Sequence, residues 1–323
     1  MEARDSNSST KPSSLRWKIL RRALLRRPAS NPDNQSETGS GVEQISRKAT
    51  RSFNLIPCNL LENRSEEKLD SLSRKDAVSS SRDAPFCYTL PLPNSPQLVL
   101  HQRVNDLVDL NDFEVCNRFN IDNTGLVCQW PSEDVLAYYC LSHADMFRHK
   151  RVIELGSGYG LAGLVVAIAT EALEVVITDG NPQVVDYIQR NIITNSSVFG
   201  GTEVKSMVLH WGQENVSDIS NTFDVIIASD CTFFKEFHEG LAETIKFLLK
   251  KEGPSEALLF SPKRGDSLEK FLAKVKGSGL NFSIDNKYDT EIWGRHQRFL
   301  YGDGSWPNYE MDHCYPLLVK ITW

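Results

Sequence analysis

No apolar run in this chain of 323 residues approaches the roughly 18–20 residues a membrane-spanning helix needs. The longest candidate, 164–169, is short and sits inside an ordinary helical pattern. No membrane span is therefore expected, and the protein reads as soluble. Cysteine pairing is also missing: the seven cysteines, at 58, 87, 116, 128, 140, 231 and 314, include no C-x-x-C pair and are odd in number. Neither a metal site nor a disulfide framework is signalled. A reducing compartment fits best, so a cytoplasmic location, open to the nucleus as well, is the expectation. Positive charge is scarce over most of the chain. Residues 1–85 hold 16 Lys and Arg against 11 Asp and Glu, a net of +5, while the remainder nets −11 and the whole chain −6. An acidic body repels nucleic-acid backbone, so no nucleic-acid partner is expected unless the basic tail supplies the contact. No internal repeat is visible.

Residues 1–85 are rich in Ser, Asn and charge, and are expected to stay largely disordered. Within them, Ser14 to Arg27 places Leu15, Ile19, Leu20, Ala23 and Leu24 at helical spacing among basic residues, with Pro28 as a stop. This basic amphipathic helix admits several readings. It suits a transit peptide, a membrane or nucleic-acid patch, a docking arm for an acidic partner, or a solvated helix on the domain surface. Glu2 and Asp5 weigh against the first. The segment 86–120 carries short apolar runs punctuated by Pro91, Pro93 and Pro96, and reads as strands or a clasp ahead of the main domain at 86–323.

Beyond it the pattern becomes regular. Apolar strands at 151–155, 174–178, 203–209, 223–228 and 257–261 alternate with helical segments near 161–170, 183–195, 236–250 and 266–277. Such alternation predicts a doubly wound α/β fold, a mostly parallel sheet covered by helices on both faces. After Gly279 two more strands, 281–288 and 315–322, flank a loop containing Trp293 and Trp306 with no helix in it. These two are expected to pair antiparallel as the last strands of the sheet.

The chemistry sits at strand ends. Gly156-Ser157-Gly158-Tyr159-Gly160 follows the first of these strands and opens a helix, at the carboxyl edge where open sheets bind ligands. Its spacing is G-x-G-x-G rather than the G-x-G-x-x-G that seats a pyrophosphate. Glu154 just ahead would put a carboxylate beside the ligand, which suits a cation such as the sulfonium of S-adenosylmethionine. Asp179 ends the next strand, where an acid can accept both ribose hydroxyls or simply cap the following turn. Trp211 follows the third strand and can stack on an adenine or pack at the core edge. The fourth strand delivers Ser229 and Asp230 to the same edge, and Asp230 lies where a methyl acceptor would meet its donor, or else caps the next helix.

The order of these strand-ending residues resembles the class I, seven-β-strand methyltransferases, which implies a Rossmann-like sheet and S-adenosylmethionine as donor. The stretch from Gly125 to Leu141 resembles the segment leading into the fold in the protein-lysine subgroup called methyltransferase family 16. Its members match at Trp130, at the glycines 156–160, at Asp179, at Trp211 and at the D-x-x-Y motif, here Asp230-Cys-Thr-Phe233. More narrowly, Trp130-Pro-Ser-Glu, Leu161-Ala-Gly-Leu, Thr178-Asp-Gly-Asn, Ala228-Ser-Asp-Cys-Thr-Phe-Phe and Tyr315-Pro-Leu-Leu are similar to the calmodulin-directed members. Phe233 departs from the wider motif and removes the phenol hydroxyl from the acceptor site.

The resemblance implies transfer of methyl groups to a lysine of calmodulin, up to trimethyllysine. It assigns Gly156, Ser157 and Gly158 to the methionine end, Gly160 to the same cofactor-binding turn, Asp179 to the ribose, Trp130 and Trp211 to the adenosine, Ser229 to a backbone contact and Asp230 to the incoming amine. The alternatives are a lysine of another protein such as a chaperone or elongation factor, a scaffold that binds the cofactor without catalysis, or a small-molecule acceptor.

Overall fold

The computed structural model describes residues 52–61, 83–94, 96–104, 110–119, 121, 124–127, 130–212, 217–307 and 309–323. The helix expected near 14–27 lies outside the described residues, as does the rest of the 1–85 region apart from 52–61 and 83–85.

Three short strands, β1 (Cys58–Leu60), β2 (Asp83–Thr89) and β3 (Gln97–Arg103), form an antiparallel sheet in the order β1-β2-β3. The far edge of β3 would leave backbone groups unpaired, and the helix Pro182–Asn195 supplies their partners. The Asn195 amide accepts from Val99 N–H at 2.9 Å and donates to Val99 C=O at 2.7 Å. Asn191 does the same for His101, at 2.7 and 3.4 Å. Two side chains thereby imitate a neighbouring strand and fasten the expected clasp to the main domain.

The second sheet holds β4 (Arg151–Leu155), β5 (Glu174–Asp179), β6 (Glu203–Val208), β7 (Val225–Ser229), β8 (Glu256–Ser261), β9 (Asn281–Asp285) and β10 (Leu317–Thr322). Its order is β6-β5-β4-β7-β8-β10-β9, with β4 to β8 paired in parallel. The near-continuous apolar runs of β4, β5, β7 and β8 are buried, as strands covered on both faces require. From β4 the chain steps outward through β5 to β6, then crosses to β7 and β8 on the other side. That reversal opens a crevice at the carboxyl end of β4. The helix Leu161–Ala169, apolar all round, is buried over residues 161–167. It lies so close to the sheet that a Cβ on Gly163 would come within 2.6 Å of Glu154 Oε2 and 2.7 Å of Ile177 Cγ1.

Two features depart from the sequence reading. Between β9 and β10 lies a helix, Thr290–Leu300, where a helix-free loop is expected. Asp289 caps it by accepting from Glu291 N–H at 2.9 Å and Ile292 N–H at 3.0 Å. Gly294 and the polar run around it mask an apolar face built from Ile292, His296 and Phe299. The last pairing is antiparallel as expected, but β10 slots between β8 and β9 and pairs antiparallel with both. Residues 52–61, grouped by composition with the polar N-terminal region, are the second departure. Phe53 is fully buried against Phe299 and Trp306, with ring centroids 5.6 and 5.7 Å away. Asp134 fixes this segment by accepting from Ser52 Oγ at 2.8 Å and Leu55 N–H at 3.0 Å.

Candidate functional site

A cavity of about 600 Å³ opens at the carboxyl edge of the sheet. It brings together Trp130, Gly156, Asp179, Trp211, Ser229 and Asp230, which come from five separate stretches of chain. Gly156 forms its floor with φ +60°. A Cβ there would lie 2.9 Å from Cys231 Sγ and 3.0 Å from the Trp211 ring, so only glycine both adopts the backbone and leaves the space. Trp211 is itself held from behind, because its backbone rests on Gly240, where a Cβ would approach Trp211 O to 2.9 Å.

The other four sequence-predicted residues do not line the cavity. Gly158 and Ser157 shape the turn: Ser157 N–H donates to Thr178 C=O at 2.9 Å, and Gly158 N–H to Asp179 Oδ2 at 3.1 Å. Gly160, at φ +81°, starts the buried helix against Ile177. Glu154 turns away from the ligand side and accepts from Gly163 N–H at 2.8 Å while 2% exposed. Burial pushes its carboxyl up to about 8. An acid whose folded pKa is raised binds its proton more tightly in the native state. The contribution of Glu154 to native stability is therefore greatest below the ordinary carboxylate pKa and falls as pH rises towards 8. Glu154→Gln keeps an acceptor for Gly163 and cannot ionise. Its melting temperature is expected to fall less than that of the wild type between pH 5 and 8, with donor binding unchanged; parallel melting profiles would refute this.

Asp179 anchors one end of the cavity. Besides Gly158, it accepts from Asn181 N–H at 2.9 Å through Oδ1. Asn181 is almost fully buried and lines the cavity, and its Nδ2 has no hydrogen-bond partner among the described residues, so a donor waits there for a ligand. Phe119, Ile121 and His210 close this end, with Phe119 and His210 stacked at 5.9 Å. None of the four is assigned to the site from sequence, His210 reading as a loop or edge residue, since side chains that meet across a cavity leave no local pattern.

Asp230 anchors the other end, in a left-handed backbone conformation with φ +56° that strains a residue with a Cβ. Its carboxylate meets a residue the sequence did not single out: Arg264 Nη2 lies 2.7 Å from Asp230 Oδ1. The guanidinium lies 4.6 Å from the Trp130 ring and 5.0 Å from the Phe233 ring. Trp130 therefore belongs to the Asp230 end. The available signal for Arg264 was positional, since the loop after β8 opens at the same sheet edge as that after β7.

The ligand chemistry this permits is specific. Among the described residues the cavity wall carries four carboxylates, of Asp179, Asp230, Glu236 and Glu243, together with aromatic rings, and no lysine or arginine. Such a wall rejects a pyrophosphate and accepts a cationic, aromatic-bearing ligand. S-adenosylmethionine fits, the acidic surface coming from these four residues and not from Glu154. The fold and the cavity are those of a class I, S-adenosylmethionine-dependent methyltransferase. A model of the lysine methyltransferase family matches residues 120–278. A calmodulin-lysine N-methyltransferase of Arabidopsis thaliana is 61% identical over 315 residues, covering 98% of each chain. A protein N-terminal and lysine N-methyltransferase of Neurospora crassa is 30% identical over 40% of this chain and 51% of its own. The chain belongs to the lysine methyltransferase family.

Proposed function

We propose that this protein transfers methyl groups from S-adenosylmethionine to the side-chain amine of one lysine of calmodulin, ending at trimethyllysine. The observation that carries the reading is identity at 61% over nearly the whole of both chains with a calmodulin-lysine N-methyltransferase, well beyond the catalytic segment that other family members share. Bound S-adenosylmethionine supplies a methyl on a sulfonium, an electrophile that needs only a correctly placed, uncharged amine. Asp179 and Asn181 would hold its ribose end, and Gly156 and Trp211 would flank it. Asp230 accepts a hydrogen bond from the arriving amine and orients its lone pair. Phe233 offers a ring face and no hydroxyl, so of the two it is Asp230 that would accept from the amine. Mass spectrometry of calmodulin after incubation with enzyme and donor tests the reading, with one lysine gaining up to three methyls as the expected result. Incubation with labelled donor and whole-cell extract should label one band of calmodulin size; labelling of other proteins alone overturns it.

The basic segment 11–27 has a place in the same reading, because calmodulin is acidic and the rest of this chain nets −11 beyond residue 85. Deleting residues 1–28 is expected to weaken calmodulin binding and flatten its dependence on salt. Unchanged kinetics at low ionic strength would remove that role. A cytoplasmic and nuclear site of action completes the proposal.

A further inference from the structure

Asp230, Trp130 and Phe233 make a site with the chemistry of a cation cage: one carboxylate and two aromatic faces, the rings 5.5 Å apart. That site already holds a cation belonging to the chain. The Arg264 side chain is 8% exposed and the Asp230 side chain 2%, and Arg264 Nη1 is buried with no hydrogen-bond partner among the described residues. Both residues are held in left-handed backbone conformations, φ +56° and +47°, and both are tied down from the backbone. Asp230 N–H donates to Phe260 C=O at 3.0 Å, and Arg264 N–H to Asp312 C=O at 2.8 Å. A pair strained at both ends and fixed at both ends is built in.

The chemistry of the acceptor gives this a purpose. An ammonium has no lone pair, and at pH 7 only about one free lysine in 2,500 is uncharged. A bare carboxylate at the acceptor position would bind the ammonium and hold its proton on, opposing transfer. Resting on the reading of the acceptor as a lysine amine, we propose that Arg264 is a positioning residue that fills the cation site of Asp230, Trp130 and Phe233. The substrate amine then meets the methyl donor uncharged, hydrogen-bonded to a carboxylate whose charge is already matched. The ammonium gives one proton to solvent as it docks, and the nitrogen lone pair so freed would form the bond to the methyl carbon as the carbon–sulfur bond of the sulfonium breaks and its electron pair passes to sulfur, leaving a neutral thioether. Burial pushes the Asp230 carboxyl up, and Arg264 is the foremost group drawing it back. Among the described residues Cys231 and Cys314 also face it, and burial raises both thiols. On the helix Met311–Cys314, Asp312 meets Arg264 through its backbone, and His313 turns its ring to Glu310 at 3.6 Å.

Arg264→Gln tests this, since it keeps a planar donor towards Asp230 and removes the charge. Two readouts are needed: kcat against pH on calmodulin, and proton release when calmodulin binds the enzyme–S-adenosylhomocysteine complex, measured by calorimetry in buffers of different ionisation heat. In the wild type, about one proton should leave on binding at pH 7; in the variant fewer should leave. The acid limb of kcat should move up by about one unit, a loss of roughly tenfold at neutral pH that disappears at high pH. A superimposable limb, a loss equal at every pH, or equal proton release would reduce Arg264 to structural support. If the Gln variant does not melt cooperatively, Arg264→Lys carries the test. With the charge kept, its limb must stay at the wild-type position, and a displaced limb overturns the proposal. Wild-type enzyme without turnover on calmodulin would mean that the acceptor reading had failed; wild-type turnover with an unmoved Gln limb would mean that only the role of Arg264 had.

Discussion

Replacing Asp230 with asparagine is expected to lower the rate of methyl transfer on the order of 10²-fold while leaving the affinity for S-adenosylhomocysteine unchanged. The amide is the same size as the carboxylate, so cavity shape and the hydrogen bond from Asp230 N–H to Phe260 C=O both survive. What is lost is an anionic acceptor for the amine and the counter-charge to a guanidinium 2.7 Å away. The unmatched Arg264 then repels an ammonium on approach and leaves the neutral amine without an orienting partner, so the loss should fall mainly on kcat. In the proposed reading donor binding rests on Asp179 and Asn181, at the other end of the cavity, and is expected to be spared. A variant that binds donor normally yet keeps half or more of the wild-type rate would show that Asp230 neither positions the amine nor matters to transfer. Absence of turnover in the wild type on any protein substrate would instead indicate a cofactor-binding scaffold. Because removing one member of a buried pair also destabilises the fold, the comparison is made well below the variant's own melting temperature.

What the sequence disclosed and what it hid divide along one physical line. Gly156, Asp179 and Asp230 each end or directly follow an apolar strand and Trp211 lies just beyond an alternating one, so a periodicity confined to a few residues announces the strand, its edge and the group presented there. Arg264 follows a strand too, but its meaning lies in Asp230, Trp130 and Phe233, which are distant in the chain and meet only through the order β7-β8. Glu154 misled because its place beside the glycine turn suggested a ligand contact. Side chains alternate along a strand, and Glu154 falls on the parity that faces Gly163 and the buried helix. The helix Thr290–Leu300 was hidden because one of its buried positions is His296, whose ring is satisfied by Tyr309 Oη at 2.7 Å, so that polarity there reports a partner and not solvent. Phe53 was hidden for the converse reason: it opens a short apolar run, 53–61, set inside a polar region, yet it fills a ring cluster assembled from the far end of the chain.

The second large effect is expected at Arg103, remote from the chemistry. Its guanidinium meets Asp112 in a two-pronged pair, Nη1 to Oδ2 and Nη2 to Oδ1 at 2.7 Å each, with the side chains 3% and 0% exposed. Arg103→Met retains the bulk of the stem but deprives the buried carboxylate of its guanidinium, a change worth about 3–5 kcal/mol of stability. For a domain of this size that lowers the melting temperature on the order of 10 °C. The pair joins β3 to the helix Leu110–Phe119, whose last residue lines the cavity beside His210. Arg103 N–H also donates to Tyr159 Oη at 3.1 Å, and that hydroxyl in turn donates to Leu126 C=O at 2.8 Å above the glycine turn. Loosening the pair should therefore weaken donor binding as well as the fold, whereas kcat at saturating donor should change little. The cycle with Asp112→Leu separates charge from packing: if an unmatched buried carboxylate is the cause, Arg103→Met/Asp112→Leu should regain much of the lost stability and of the donor affinity. A double variant no better than the single one would place the loss in the packing of the arginine stem.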